Sequence, residues 1–416
     1  MNVRRNASVL AAATAVIGAV TAPAVAAGPS PSAKPALPSG LYGSTDPTYD
    51  GVWRQSLALL AQHTVGVRPA ASAVDWLTGQ QCANGAFAPF RADVSKACDA
   101  KVMVDTNNTA AAVQALTALG GHQAATGKAV AWLKSAQNTD GGWGYTPGGA
   151  SDTNSTSVVV GALTAVGEKP AQVRKGGRSP YDALMKLALP CKGAGTGASA
   201  GAFAFQPDKK GTLAANADAT AAGVVGALGK GLVVEPAARD EAAACSDSGS
   251  LAPRQAAANG AAYLTKALAK DDHLMSALPG ATDQPDFGNT ADAVVALAAQ
   301  GGAGRAAGPL KWLERNSSAW AKQSGPAAYA QLVFAAHATG TDPRDFGGTD
   351  LVRQLNATGP APRTATARSG ESGESAESAK GDDSDSGNIW WIVGAGLAAG
   401  AGIGFLISGR NKRKRP

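Results

Sequence analysis

Aromatic rings are scarce in this chain, about one residue in twenty, with 8 Trp, 6 Tyr and 8 Phe among 416 residues. A pocket walled by many rings, as stabilisation of a cation by π faces requires, is not expected. Histidine is rarer still. His63, His122, His273 and His337 are scattered, and no CxxC or compact Cys/His spacing occurs, so no metal and no cofactor is expected. A working surplus of charge is also missing. The formal net charge of +6 loses seven positive charges to Arg4, Arg5 and the five basic residues at the C-terminus, which leaves 30 basic residues against 31 acidic ones. A near-neutral remainder gives no electrostatic footprint for nucleic acid. Alternating apolar and polar residues, the mark of half-buried strands, appear nowhere at strength.

Two apolar runs stand at the ends. Arg4 and Arg5 precede an apolar stretch from Val9 to Val20, and Ala24-Val25-Ala26 supplies a small-residue cleavage pattern, so residues 1–26 read as a Sec-type signal peptide. Ile389 to Ser408 is free of charge over 20 residues, enough at about 1.5 Å per residue to cross roughly 30 Å of hydrocarbon. With Trp390 and Trp391 at its start and a basic tail over 410–416, residues 388–409 read as a single transmembrane helix with the tail in the cytoplasm. The expected location is therefore the cell membrane, with the bulk of the chain outside. Gly396, Gly400 and Gly404 form two GxxxG steps that would let two spans approach as a homodimer.

Residues 27–47, rich in Pro, Ser and Ala, read as a flexible leader, and residues 358–387, rich in Ser, Gly, Glu and Asp, as a disordered stalk. Leu355-Asn356-Ala357-Thr358-Gly359 resembles an LPxTG-type sorting signal. In an exported chain the four cysteines favour two disulfides. Of three connectivities, Cys82 with Cys98 and Cys191 with Cys245 is preferred, since the first closes a short loop and the second ties a repeat to the connection after it.

Between these ends the sequence repeats. Ala73-Val-Asp-Trp76-Leu77-x3-Gln81-x3-Gly85-x-Phe87 returns 56 residues later as Ala129-Val-Ala-Trp132-Leu133-x3-Gln137-x3-Gly141-x-Trp143. Each copy is followed by a polar start and an apolar helix, Asp105-Thr-Asn-Asn-Thr109 before AAAVQALTAL and Asp152-Thr-Asn-Ser-Thr156 before SVVVGALTAV. Weaker copies run from Ala183 through Phe203 to NADATAAGVVGAL, from Tyr263 through Asp286-Phe287-Gly288-Asn289-Thr290 to ADAVVALAA, and from Trp312 to Leu332. The helix around Trp53 to Gln62 is half of another. Such units cannot bury their faces alone, so residues 48–357 are expected to stack as an all-α ring of five to six helical hairpins, with polar outer helices and small-residue inner ones.

The string Lys128-Ala129-x3-Leu133-x3-Gln137-x3-Gly141-Gly142-Trp143 resembles the QW motif of the prenyltransferase/squalene-oxidase repeat family. That resemblance implies an α/α toroid with a cavity at the end where the inner helices begin. It carries none of the family's chemistry residue by residue. There is no DxDD for alkene protonation, no Asp-x-Cys with a distant His for zinc, and no GCGEQ thioester. Within the family, Val104-Asp105-Thr106-Asn107-Asn108-Thr109 is similar to the inner-helix start of the α-domain in the cobalamin carriers intrinsic factor and transcobalamin, which implies a transporter or a β-domain as partner.

Asp105, Asp152 and Asp286 read first as N-caps and, with the polar residues beside them, as candidate ligand contacts. The polar residues beside them exceed what caps need, so Thr106, Asn107, Asn108, Thr153, Asn154 and Asn289 are candidate ligand contacts at a polar rim whose helix ends suit a neutral or anionic ligand. Phe90, Tyr145, Phe205 and Phe287 lie on loops leading into inner helices and are candidate floor residues. Trp76, Trp132, Trp143, Trp312 and Phe87 read as packing. The resulting expectation is a non-catalytic surface protein that captures a small ligand or an extracytoplasmic protein, with cobalamin-like uptake in view. The alternatives are a terpenoid cyclase-like enzyme with non-standard residues and a cell-envelope scaffold.

Overall fold

The computed structural model describes residues 37–193, 197–236, 244–247, 251–277 and 284–363. Thirteen α-helices account for most of the described secondary structure. Six of them form a ring: α1 (Gly51–Thr64), α3 (Thr106–Leu119), α5 (Thr153–Ala165), α7 (Ala217–Ala227), α9 (Phe287–Ala299) and α12 (Pro326–Thr339). Each packs on the next, and α12 packs back on α1 to close the circle. Outside them lie α2 (Ala71–Gly79), α4 (Gln123–Ala136), α6 (Pro180–Leu187), α8 (Pro253–Leu268), α10 (Ala303–Asn316) and α13 (Leu351–Asn356), against α1, α3, α5, α7, α9 and α12 in turn. Helix α11 (Ser318–Ser324) bridges α10 and α12. This is the toroid-like arrangement that the repeats imply. To it are added two short antiparallel ladders, β1 (Phe203–Pro207) with β2 (Leu213–Asn216) and β3 (Leu274–Met275) with β4 (Pro285–Asp286), which lead into α7 and α9.

One latch recurs in four repeats. The inner helices α3, α5, α7 and α9 start at the N-caps Asp105, Asp152, Asn216 and Asp286, whose side chains accept the backbone N–H three residues on. Four residues after each cap stands a threonine. Thr109, Thr156, Thr220 and Thr290 accept the backbone N–H of Phe87 (3.0 Å), Trp143 (3.1 Å), Phe203 (2.9 Å) and Leu274 (3.0 Å). The loop that closes each outer helix is thereby fixed to the start of the next inner one. Gln81 and Gln137 bind the same loops, at Gly85 O (3.0 Å) and Gly141 O (2.8 Å), and reach forward to Ala125 O and Val173 O. Gly141 has φ +91° and its missing Cβ would lie 2.2 Å from Ser179 O, so the turn closes only with glycine there.

The core lies between the rings. Leu77, Leu133, Leu264 and Leu313, at equivalent places in four outer helices, are fully buried, as are Phe87, Trp143 and Phe203. Trp143 packs on its own hairpin and donates Nε1–H to Leu133 O at 2.7 Å. Trp76, Trp132 and Trp312 pack against this core while partly exposed. Both disulfides, Cys82–Cys98 and Cys191–Cys245, join the cysteines that the spacing paired.

The ends of the ring are tied together by residues that the sequence assigned to leader and stalk. Tyr42 is fully buried; its N–H donates to Gln55 Oε1 (2.8 Å) and its hydroxyl to Gln62 Oε1 (3.1 Å) and Pro360 O (3.2 Å). Gly43 N–H donates to Thr358 O, and a Cβ on Gly359 would lie 2.4 Å from the Tyr42 ring. One large side chain with several acceptors in reach is enough to order these flanks, although their average composition is that of a flexible chain. The sorting-signal resemblance falls in this clasp: Leu355 is core and the Thr358-Gly359 bond is packed against Tyr42. Among the described residues no helix is long and apolar enough to cross a membrane. The residues expected to form the signal peptide, the span with Gly396, Gly400 and Gly404, and the basic tail lie outside the described residues.

Candidate functional site

The axis of the ring holds a cavity of about 110 Å³ to which all six inner helices contribute. That is room for roughly eight to ten water-sized positions, and so for a small organic molecule. Its polar end is built from the first two turns of the helices: Asn107 on α3, Asn154 on α5, Asp218 on α7, Asp292 on α9 and Gln331 on α12. Asn107, Asn154 and Asp218 each stand two residues after their N-cap, so the shared start geometry aims them at one axis. Beyond them the wall is apolar, with Leu57, Val158, Val225, Val295 and Phe334, and Trp53 of α1 adds a second ring.

The far end is stoppered. After α7 the chain crosses the ring at Lys230-Gly231-Leu232, where Gln114 Oε1 accepts Leu232 N–H (2.8 Å) and Gln114 Nε2 donates to Val158 O (3.1 Å). The crossing is so close that a Cβ on Gly161 would lie 2.7 Å from Gly231 Cα. Lys230 Nζ donates to Ala299 O at 3.2 Å, and burial and the neighbouring Arg254 hold its ammonium below the usual lysine range.

Two carboxylates on adjacent helices define the electrostatics. Asp218 accepts Asn154 Nδ2–H at 2.8 Å, and Asp292 accepts Gln331 Nε2–H at 3.2 and 3.4 Å. Both are partly accessible, and both line the cavity. Desolvation by the surrounding helices pushes Asp218 up to about 7, with Asp286 and Asp152 adding repulsion and Asn154 opposing. Desolvation pushes Asp292 up to about 7 as well, with Asp218 as its main like-charge neighbour. The pair therefore holds a proton at neutral pH. Asn154 opposes the shift of Asp218 and Gln331 that of Asp292, each by donating to the ionised form.

Of the residues singled out from sequence, Asn107 and Asn154 line the cavity. Asp105 is fully buried as a cap, accepting Asn108 N–H and Asn108 Nδ2–H (both 2.7 Å), and burial raises it to about 6 with Asn108 and Tyr145 bonded to it. Asp152 caps α5 and is raised by burial to about 6. Thr106 Oγ1 donates to Gly144 O (2.7 Å) and Thr153 Oγ1 to Ala204 O (2.6 Å), ties between neighbouring repeats. Asp286 caps α9 by accepting both Asn289 N–H (3.0 Å) and Asn289 Nδ2–H (2.8 Å). Phe90 stacks on Trp76, Phe287 stacks between Trp312 and Trp320, and Phe205 lies on β1. None of these three is in the cavity wall. The rim expected to suit a neutral or anionic ligand also carries two carboxylates, because Asp218 and Asp292 enter it from helices whose sequences read as apolar. Position two after the cap, occupied by Asn107 and Asn154, was the signal that leads to Asp218.

No family model matches the chain, and no curated protein is similar to it in sequence. Among solved structures, ent-copalyl diphosphate synthase from Streptomyces platensis superposes with a TM-score of 0.46 and 16% identity over 70% of this chain and 50% of that one. The type II terpene cyclase MstE from Scytonema gives 0.41 and 14% over 66% and 72%, and a protein from Actinoplanes 0.32 and 15% over 68% and 100%. The chain thus spans half the length of the first. At these identities the likeness is one of fold alone; one of the three neighbours is a terpene cyclase by name, and none of the three is named as a cobalamin carrier.

Proposed function

We propose that the ring is an enzyme of terpenoid cyclase-like type, in which Asp292 donates a proton to a carbon–carbon double bond of a small unsaturated isoprenoid held in the axial cavity. The observation that supports this reading is the pair Asp218 and Asp292, two cavity carboxylates that burial pushes up to about 7 each. Protonation turns the alkene into a carbocation and leaves Asp292 ionised. The two carboxylates and the faces of Trp53 and Phe334 offset the new charge, and the apolar shaft keeps water from trapping it. Loss of a proton from a neighbouring carbon to Asp218 forms the new double bond. The proton taken up equals the proton released, so the net reaction is isomerisation or ring closure. The missing DxDD does not weigh against this, since the acid and base come from different helices.

Incubation of the purified full chain with acyclic monoterpene and sesquiterpene olefins and alcohols in D2O, followed by mass spectrometry, tests the reading. Deuterated isomers are expected from the wild type, with a rate about 10²-fold lower in Asp292→Asn. No product from the wild type, or an equal yield from Asp292→Asn, would refute it. A second reading, capture without chemistry by a surface receptor for nutrients such as cobalamin, is favoured by the wall amides Asn107 and Asn154. It would be supported by retention of an unaltered ligand in the same incubations.

A further inference from the structure

Two buried polar atoms of the cavity wall, Asn154 Oδ1 and Ser157 Oγ, lack partners, and both can accept a hydrogen bond. Asn154 gives its N–H to Asp218 and leaves Oδ1 without a partner. Ser157, 5% exposed and also in the wall, has no partner for its Oγ. Asp218 and Asp292 add carboxylate oxygens that, among the described residues, Asn154 and Gln331 engage. The lysine of the wall does not balance them, because Lys230 stands at the stoppered end with its bond made to Ala299 O. We propose that the cavity binds a small organic ammonium ion, with its N–H groups on Asp218, Asp292 and Asn154 and its apolar body in the shaft beside Trp53 and Phe334. A neutral hydroxyl supplies one donor and no charge. A carboxylate would be repelled by the charge on the pair, and a primary ammonium supplies three donors and the opposite charge. The two rings add a cation–π contribution. This site shares the cavity with the proposed chemistry but does not require it.

Binding is linked to pH, because an ammonium replaces the proton of the pair. Asp218 faces Asp152 from the start of α5 and Asp286 from the start of α9. Lys230 and Arg254 lie toward the floor, and α1, α3 and α12 add no titratable side chain to the wall. Affinity therefore falls with acidification below the range where the pair loses its proton, by up to about tenfold per pH unit.

Calorimetric titration of the purified full chain with hexylamine, 1-hexanol and hexanoate at pH 8 and pH 5.5 tests this, with Asp292→Asn alongside. Hexylammonium is expected to bind at least about tenfold more tightly than hexanol, hexanoate not at all, and the amine at least about tenfold more weakly at pH 5.5 and in a folded Asp292→Asn. Equal affinity for amine and alcohol, any binding of hexanoate, or no binding of the amine would overturn the inference. If Asp292→Asn does not fold, the wild-type titrations decide alone, and an affinity equal at the two pH values would overturn it. Since the readout is equilibrium binding, a chain that turns over no olefin can still pass, and one that does can still fail.

Discussion

An aspartate on the axis of a helical ring is costly to ionise, and Asp218 and Asp292 carry that cost together. Both titrate near 7 in the fold, against about 4 in an unfolded chain, so the folded state binds more protons through this window. Stability is then greatest at the acid side and is lost as pH rises from about 4 through 7. Thermal melting of Asp292→Asn at pH 8 should exceed that of the wild type by roughly 2–5 °C, with the difference vanishing near pH 4; a lower melting temperature at pH 8 would mean that the carboxylate is paired after all. The site was legible in sequence only at Asn107 and Asn154. Asp218 hides in NADATAAGVV and Asp292 in NTADAVVALAA, where one acidic residue among small ones reads as a solvated edge. Only ring closure puts both on the inner face.

At the level of the element, the unit is a hairpin latched by a cap and a threonine. Thr156→Val keeps the shape and removes the acceptor of the buried Trp143 N–H, at an expected cost of about 1–3 kcal/mol by denaturant unfolding. Thr109→Val should behave alike, because Phe87 N–H is held in the same way. A loss below about 0.5 kcal/mol in both would show that the latch is incidental. This level was the most legible, because the spacing from Trp132 and Leu133 through Gln137 to Gly141 is set by local geometry. The two β ladders before α7 and α9 were not, since Phe203–Pro207 and Leu274–Met275 are too short for a period to show.

For the whole molecule, closure depends on the contact of first with last. Tyr42→Ala removes a fully buried ring and its bonds to Gln62 and Pro360, and should cost about 3–5 kcal/mol, while Tyr42→Phe should cost about 1 kcal/mol. Equal and negligible losses by denaturant unfolding would mean that the ring stays shut without its clasp. Composition could not reveal this clasp, because 358–363 and 38–47 acquire order from each other and from contacts with α1, α2, Arg68 and Pro326. A shut ring surrounds its axis with helices, and the side chains there report how far that wall desolvates them. Carbon-detected NMR titration of the aspartate carboxyls, assigned with Asp218→Asn and Asp292→Asn, measures this directly. The pair should titrate with apparent values near 7, whereas two independent transitions close to 4 would contradict an enclosed, proton-holding axis.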